Sequence, residues 1–197
     1  MTLDWTIIIS TFIGAFLASG TGYLFERKRE NVRMAQARIL LITAIADDLK
    51  YAISLYDKVA EEWEKTKIVW FATLNEIRES RFTYQNNKDW IHVFGDPELR
   101  RRIFRYYLQS AERVNNLEYQ QRRVYEIRAR LNDTIRDIKQ KDPNLDDEVA
   151  IKLAISYMKN ESSESENLQN SIPESIARLS EFKLEAKELA RLLESAR

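Results

Sequence analysis

Apolar residues at alternating steps of three and four give the chain its longest regular pattern. They form one seam, whose members are Val32, Ala35, Ile39, Ile42, Ala46, Leu49, Ile53, Tyr56, Ala60 and Trp63. Such steps keep side chains on one face of an α-helix, as in a coiled coil. Because residues 23–94 contain neither Gly nor Pro, the pattern predicts a helix over about 26–80, or one that breaks near residues 65–67.

A second pattern precedes the seam, because residues 5–25 carry no charge. At about 1.5 Å per residue, a helix of this length covers roughly 30 Å, the thickness of a bilayer's hydrocarbon core. A cleaved signal peptide is the alternative, but it would begin with a basic segment, and residues 1–4 contain one acid and no base. We therefore expect residues 1–25 to form one N-terminal transmembrane helix.

The charges on either side of the uncharged run predict its orientation. Asp4 precedes the run, and the basic residues that follow it are Arg27, Lys28, Arg29 and Arg33. Basic flanks stay on the cytoplasmic side of a membrane. We expect a single-pass protein of the cell membrane, with its N-terminus outside and residues 26–197 in the cytoplasm. The absence of cysteine agrees with a reducing compartment.

Small residues mark one face of the predicted span, at Ser10, Gly14, Ala18 and Gly22. Lipid gives helices no hydrophobic reason to pair, so close approach of the backbones has to supply the attraction. The spacing therefore predicts a membrane association face, although small residues are also common in spans that do not pair. This face lies nearly in phase with the seam that begins at Val32.

Capping signals divide the rest of the chain into helices. Asp96-Pro97-Glu98 combines an N-cap, a first-turn Pro and an acid at the positive end of the helix dipole. The predicted helices are 97–141, 147–160 and 173–195, and a mobile Ser/Glu-rich loop separates the last two at 161–171. The residues of 147–160 expected to face inward are Val149, Leu153, Tyr157 and Met158. The predicted fold is all-α, with the transmembrane helix continuing into an elongated cytoplasmic helical bundle of coiled-coil character.

Aromatic residues cluster in the less regular segment 81–95, at Phe82, Tyr84, Trp90 and Phe94. Large aromatic side chains are usually buried, which favours a loop that folds back over one end of the bundle. The alternative is a surface for a protein partner, since aromatic residues are common anchors of interfaces.

The net charge of the chain is zero, but the charges are unevenly distributed. Residues 98–141 carry twelve basic and six acidic side chains, whereas residues 142–197 carry seven basic and twelve acidic ones. Opposite charges favour packing of these segments against each other, within or between subunits. The alternative is an anion-binding patch for a nucleotide or nucleic acid, formed by Arg100, Arg101, Arg102 and Arg105.

The sequence lacks the residues that common catalytic and metal sites require. His92 is the single histidine and there is no cysteine, which excludes two-histidine zinc sites and thiol nucleophiles within one chain. The four glycines form no phosphate-binding loop. Adjacent acids such as Asp47 and Asp48 do not face each other on a helix, so they are no paired-carboxylate site. We predict no catalytic residue, no cofactor and no metal.

These observations predict a membrane-anchored, self-associating helical scaffold or signalling component without catalytic activity of its own. The alternative is an oligomeric pore-forming or membrane-perturbing effector of a bacterial defence or toxin system, gated by an anionic ligand at the basic helix. The expected partners are the lipid bilayer and further copies of the chain, and a protein bound at segment 81–95 is the alternative use of that segment. Binding of nucleic acid or a nucleotide is less favoured.

Overall fold

The computed structural model describes the backbone of residues 5–196 and the side chains of residues 25–196. Between residues 5 and 196 the chain is helical and has no β-strand, which confirms the all-α part of the predicted fold. The elements are α1 (Trp5–Thr66), α2 (Phe71–Glu79), α3 (Phe82–Asn87), a 3₁₀ helix (Lys88–Val93), α4 (Pro97–Lys141), α5 (Asp147–Tyr157) and α6 (Lys159–Ser195).

Two of the predictions concern residues whose side chains are not described. The predicted span, residues 5–25, lies outside the described side chains apart from Phe25, and so does the small-residue face of Ser10, Gly14, Ala18 and Gly22. Among the described residues, no helix is long and apolar enough to cross a membrane.

Helices α1, α4 and α6 build a bundle in which α6 packs against both of the others. The segment between α1 and α4 runs back alongside α1. Two contacts hold it there: Lys58 pairs with Glu76 of α2, and Asp48 accepts a hydrogen bond from Thr83 of α3. Apolar side chains fill two stacked core clusters along the bundle. The upper cluster includes Ile42, Ile45 and Leu49 with Ile103 and Leu189, and the lower one includes Tyr56 and Val59 with Leu74, Leu117 and Leu179.

Helix α1 ends at Thr66 because the backbone of Lys67 is left-handed, with a φ of 54°. A left-handed residue cannot continue a right-handed helix, and for a residue with a Cβ it costs about 1–2 kcal/mol. The Lys67 amide still donates to the Trp63 carbonyl at 2.8 Å, which completes the last turn. The continuous helix over 26–80 is therefore wrong, and the break near residues 65–67 is correct.

Helix α6 includes the segment 161–171, so the loop predicted there is wrong. Ion pairs with α4 hold this polar stretch, since Glu161 pairs with Arg130 at 2.7 Å and Glu164 pairs with Arg123 at 2.8 Å. Pro173, predicted to begin the last helix, lies inside α6 at an exposed position. A Pro inside a helix removes one backbone hydrogen bond, and the buried Ile172 and Ile176 on either side hold the turn in place.

Helix α5 begins where Asp146 accepts a hydrogen bond from the Glu148 amide at 2.8 Å, and it ends at Tyr157 rather than near residue 160. Its buried residues are Ala150 and Ala154. The inward face predicted for it is wrong, because Val149, Leu153 and Tyr157 are exposed and Met158 is half-buried. The two alanines allow the backbone of α5 to lie close to the neighbouring helices, chiefly α4.

The aromatic segment 81–95 folds against the side of the upper core cluster as α3 and the 3₁₀ helix. Phe94 is buried, and the Tyr84 ring stacks on Tyr107 of α4, with 4.1 Å between ring centroids. Phe82 and Trp90 remain exposed by 70% and 47%. The segment therefore covers the core with some of its rings and leaves two large ones at the surface.

Candidate functional site

Residues 25–40 of α1 extend beyond the bundle, and we call them the α1 stalk. All of them are exposed except Ala37, which is half-buried, and burial in the core begins at Leu41. At about 1.5 Å per residue, these sixteen residues form a rod of roughly 24 Å. The C-terminal end of the stalk meets the bundle, where the Arg38 guanidinium donates to the Ala196 carbonyl at 3.2 Å.

An apolar stripe follows one face of the stalk. Phe25, Val32 and Ile39 recur every seventh residue and are exposed by 71%, 50% and 39%. Ala35 lies between the last two, at the other seam position of the heptad. The same seam continues into the bundle, where Ile42, Ala46 and Leu49 are buried against α4 and α6. The chain's own helices thus cover the seam from residue 41 onward, and the seam is open in the residues before 41.

A groove lies between the aromatic segment and the beginning of α4, and we call it the α3–α4 groove. The residues that line it are Tyr84, Lys88, Asp89, Ile91, Pro97, Arg100, Arg101 and Phe104. It brings together two of the arginines of the predicted anion-binding patch with a lysine and two aromatic rings. Sequence reasoning missed Lys88 and Phe104, because only the return of the chain along α1 places Lys88 beside α4.

The four predicted arginines have different surroundings. Arg100 donates to the carbonyl of Phe94 at 3.0 Å and to that of His92 at 3.4 Å. Arg101 lies 3.4 Å from Glu98 and keeps 71% of its side chain exposed. Arg102 faces α6 rather than the groove, and Arg105 is exposed one turn further along α4.

Arg102 belongs to the contact between α4 and α6. Its guanidinium pairs with Glu188 at 3.0 Å and with Glu185 at 3.6 Å. The hydrogen bond and the charge of Arg102 lower the pKa of Glu188, while those of Glu188 raise the pKa of Arg102. Together with the pairs that hold segment 161–171, this contact shows that the basic helix and the acidic helix pack against each other within one chain, so Arg102 is unavailable to a ligand in the groove.

A buried polar cluster joins α1, α4 and the residue that precedes α3, between the two core clusters. The Tyr56 hydroxyl lies 2.8 Å from both the Tyr106 hydroxyl and the Ser110 hydroxyl. Burial raises the pKa of Tyr56 and that of Tyr106. Arg81 is 7% exposed beside these rings, and burial lowers its pKa. Because its hydroxyl hydrogen bonds link α1 with α4, the cluster helps to fix the register of these two helices.

His92 is exposed and its Nδ1 lies 2.6 Å from the Asp89 carbonyl oxygen, near the Trp90 ring. Among the described residues, no group of three His, Cys, Asp or Glu side chains could hold a metal ion.

Comparison with known proteins found no matching family, no matching curated protein and no matching solved structure. The stalk and the α3–α4 groove are therefore the features of the chain that bear on its function.

Proposed function

We propose that this chain is a membrane-anchored helical protein that self-associates through the α1 stalk and acts as a scaffold or signalling component without catalytic activity. The observation that carries the proposal is the seam of α1, buried in the bundle from Ile42 onward and open at Phe25, Val32 and Ile39. Burial of these apolar side chains would be favourable, and a second copy of the same stripe would cover them.

The membrane part of the proposal rests on the sequence. Residues 5–25 carry no charge and are followed by Arg27, Lys28 and Arg29, a pattern typical of a span whose C-terminal side is cytoplasmic. Copies anchored in one membrane share one orientation, so their stalks would meet in parallel and in register. Anchoring also raises the effective concentration, which compensates for a short interface.

The energy of this contact is modest per chain. Burying a Val, Ile or Phe side chain contributes about 1.5–3 kcal/mol, and the seam offers three such residues that are partly exposed. The small Ala35 would let the two helix backbones approach at that level. Lys28 occupies the seam position between Phe25 and Val32, where its ammonium can extend to water.

The second candidate function is an oligomeric pore-forming or membrane-perturbing effector. Its support is the small-residue face of the proposed span, Ser10, Gly14, Ala18 and Gly22, which would let several spans pack closely. Release of an entrapped dye from liposomes that contain the protein separates the two functions. If the protein forms a pore, the dye should be released and Gly14→Leu should reduce the release. If the protein is a scaffold, the vesicles should retain the dye.

A protein partner at segment 81–95 is a further part of the proposal. Phe82 and Trp90 lie on this segment with 70% and 47% of their surface exposed, and exposed aromatic side chains commonly anchor interfaces. A scaffold of this kind would present two such surfaces per dimer.

The experiment that tests self-association is the mass of the full-length protein in detergent, measured by light scattering. Val32→Lys places a charge in the open seam, whereas Met34→Lys places the same charge two residues away on another face of the stalk. We expect an oligomer for the wild type and for Met34→Lys, and a monomer for Val32→Lys. A monomeric wild type, or equal masses for both variants, would contradict the proposal.

A further inference from the structure

We propose that the α3–α4 groove binds a nucleotide-like ligand, in which a phosphate group adjoins a planar aromatic ring. This inference does not depend on self-association through the stalk, because the groove is formed by residues of one chain.

The cations of the groove provide the phosphate site. Lys88, Arg100 and Arg101 line it together with a single acid, Asp89. Arg100 is held in place by the carbonyls of Phe94 and His92, so little side-chain entropy would be lost when it meets an anion. Hydrogen bonds between a guanidinium and a phosphate oxygen are among the stronger ones in proteins.

Arg101 is largely exposed and has one acidic partner. Its partner Glu98 lies 3.4 Å away, and both side chains are mostly exposed, at 71% and 62%. An exposed pair of this kind contributes little. A phosphate carries more charge than one carboxylate, so it would compete successfully for Arg101.

The ring of Phe104 provides a surface for the aromatic part of the ligand. It is 57% exposed and lies one helical turn beyond Arg100 and Arg101, on the same side of α4. Tyr84 and Ile91 form the opposite wall. The stack of Tyr84 on Tyr107, with 13° between the ring planes, fixes that wall. A planar base lying on Phe104 would thus place its phosphate within reach of the cations.

The size and position of the groove favour a small ligand in solution. Its volume is about 620 Å³, within the range of small-molecule sites. Tyr84 and Ile91 pack on the upper core cluster, which begins at Leu41. The length of the stalk, roughly 24 Å, separates that level from Phe25. The field of charges on a membrane surface near Phe25 is screened over about 8 Å, which is shorter than the stalk, so this surface would exert little attraction at the groove.

Isothermal titration calorimetry of the full-length protein in detergent, with ATP as the probe, tests the inference. Arg101→Gln removes a phosphate contact and Phe104→Ala removes the ring. Arg136→Gln is the matched control, because Arg136 lies at the other end of α4, is also 71% exposed and also pairs with an acid three residues earlier. Far-UV circular dichroism verifies that each variant remains folded.

We expect the wild type to bind ATP saturably. Arg101→Gln should weaken ATP binding about tenfold, because it loses one charge-assisted contact, and Arg136→Gln should leave ATP binding unchanged. Phe104→Ala should weaken binding of ATP but not of inorganic tripolyphosphate, which has no ring. No saturable ATP binding by the wild type would overturn the inference. So would equal losses for Arg101→Gln and Arg136→Gln, which indicate attraction by overall charge, or unchanged ATP binding by Phe104→Ala.

Discussion

Val32 and Ala46 occupy the same heptad position of one helix, yet Val32 is 50% exposed and Ala46 is 3% exposed. The two residues are fourteen positions apart, which is two heptads, so they lie on the same face of α1. At Ala46 that face packs against the chain's own α4 and α6, and at Val32 the chain offers no described partner. The difference locates the point at which intramolecular packing ends and the open seam begins.

The left-handed residue after α1 predicts a stabilising substitution. Lys67→Gly should raise the free energy of unfolding by up to about 1 kcal/mol, because Gly adopts a positive φ without the clash of a Cβ. The control is Lys65→Gly in the last turn of α1, where the loss of helix propensity should cost about 1 kcal/mol. Urea unfolding followed by far-UV circular dichroism measures both, and a loss of stability in Lys67→Gly would refute the conformational argument.

The tyrosine cluster predicts a core that tolerates little loss of hydrogen bonds. Tyr56→Phe removes the hydroxyl between Tyr106 and Ser110, and the buried partners left behind should reduce the free energy of unfolding by about 1–3 kcal/mol. Tyr119→Phe serves as the control, because Tyr119 is 58% exposed. Equal stability of the two variants under urea would show that the buried hydroxyls bind water or compensate for each other.

Asp48 predicts a dependence of stability on pH. Burial raises the pKa of its carboxyl, although hydrogen bonds from Thr83 and Tyr84 oppose the shift. A raised pKa in the folded state means that the protonated acid favours folding, and that this contribution is lost as pH rises through the folded-state pKa. Asp48→Asn, which keeps an acceptor for Thr83, should therefore be more stable than the wild type at neutral pH.

The advantage of Asp48→Asn should shrink as the pH falls toward the ordinary range of Asp, about 4. Asp47→Asn is the matched control, since its neighbour Asp47 is exposed. Unfolding curves at several pH values check this, and an advantage that grows on acidification would show that the ionised carboxylate, rather than the neutral acid, stabilises the fold.

Local signals in the sequence were sufficient for α4. Asp96 caps its first turn by accepting from the Glu98 amide at 2.8 Å, and the helix ends at Lys141, before Pro143. These signals act between neighbouring residues, so no tertiary contact is needed to interpret them. Apolar periodicity also identified the inward face of α1 from Ile42 to Trp63, where every seam residue is buried or half-buried, whereas Val32, Ala35 and Ile39 are exposed.

Contacts between distant residues decided the elements that were predicted wrongly. Segment 161–171 is polar enough to be a loop, but Glu161 and Glu164 find arginines of α4. In α5, the larger apolar residues and the two alanines follow a similar helical spacing, so the sequence does not show which face is buried. The contact with α4 makes Ala150 and Ala154 the buried face. For the same reason, the groove that joins Lys88 to Arg101 could not be predicted from the sequence.

Disulfide trapping in the membrane tests the open seam most directly, since the chain contains no cysteine of its own. Ala35→Cys places a thiol in the seam of the stalk, and Met34→Cys places one on an adjoining face. Mild oxidation of membranes that contain each variant, followed by non-reducing electrophoresis, reveals whether two copies are linked. We expect a disulfide-linked dimer for Ala35→Cys and little linkage for Met34→Cys. Equal linkage of the two, or linkage of Met34→Cys alone, would contradict it.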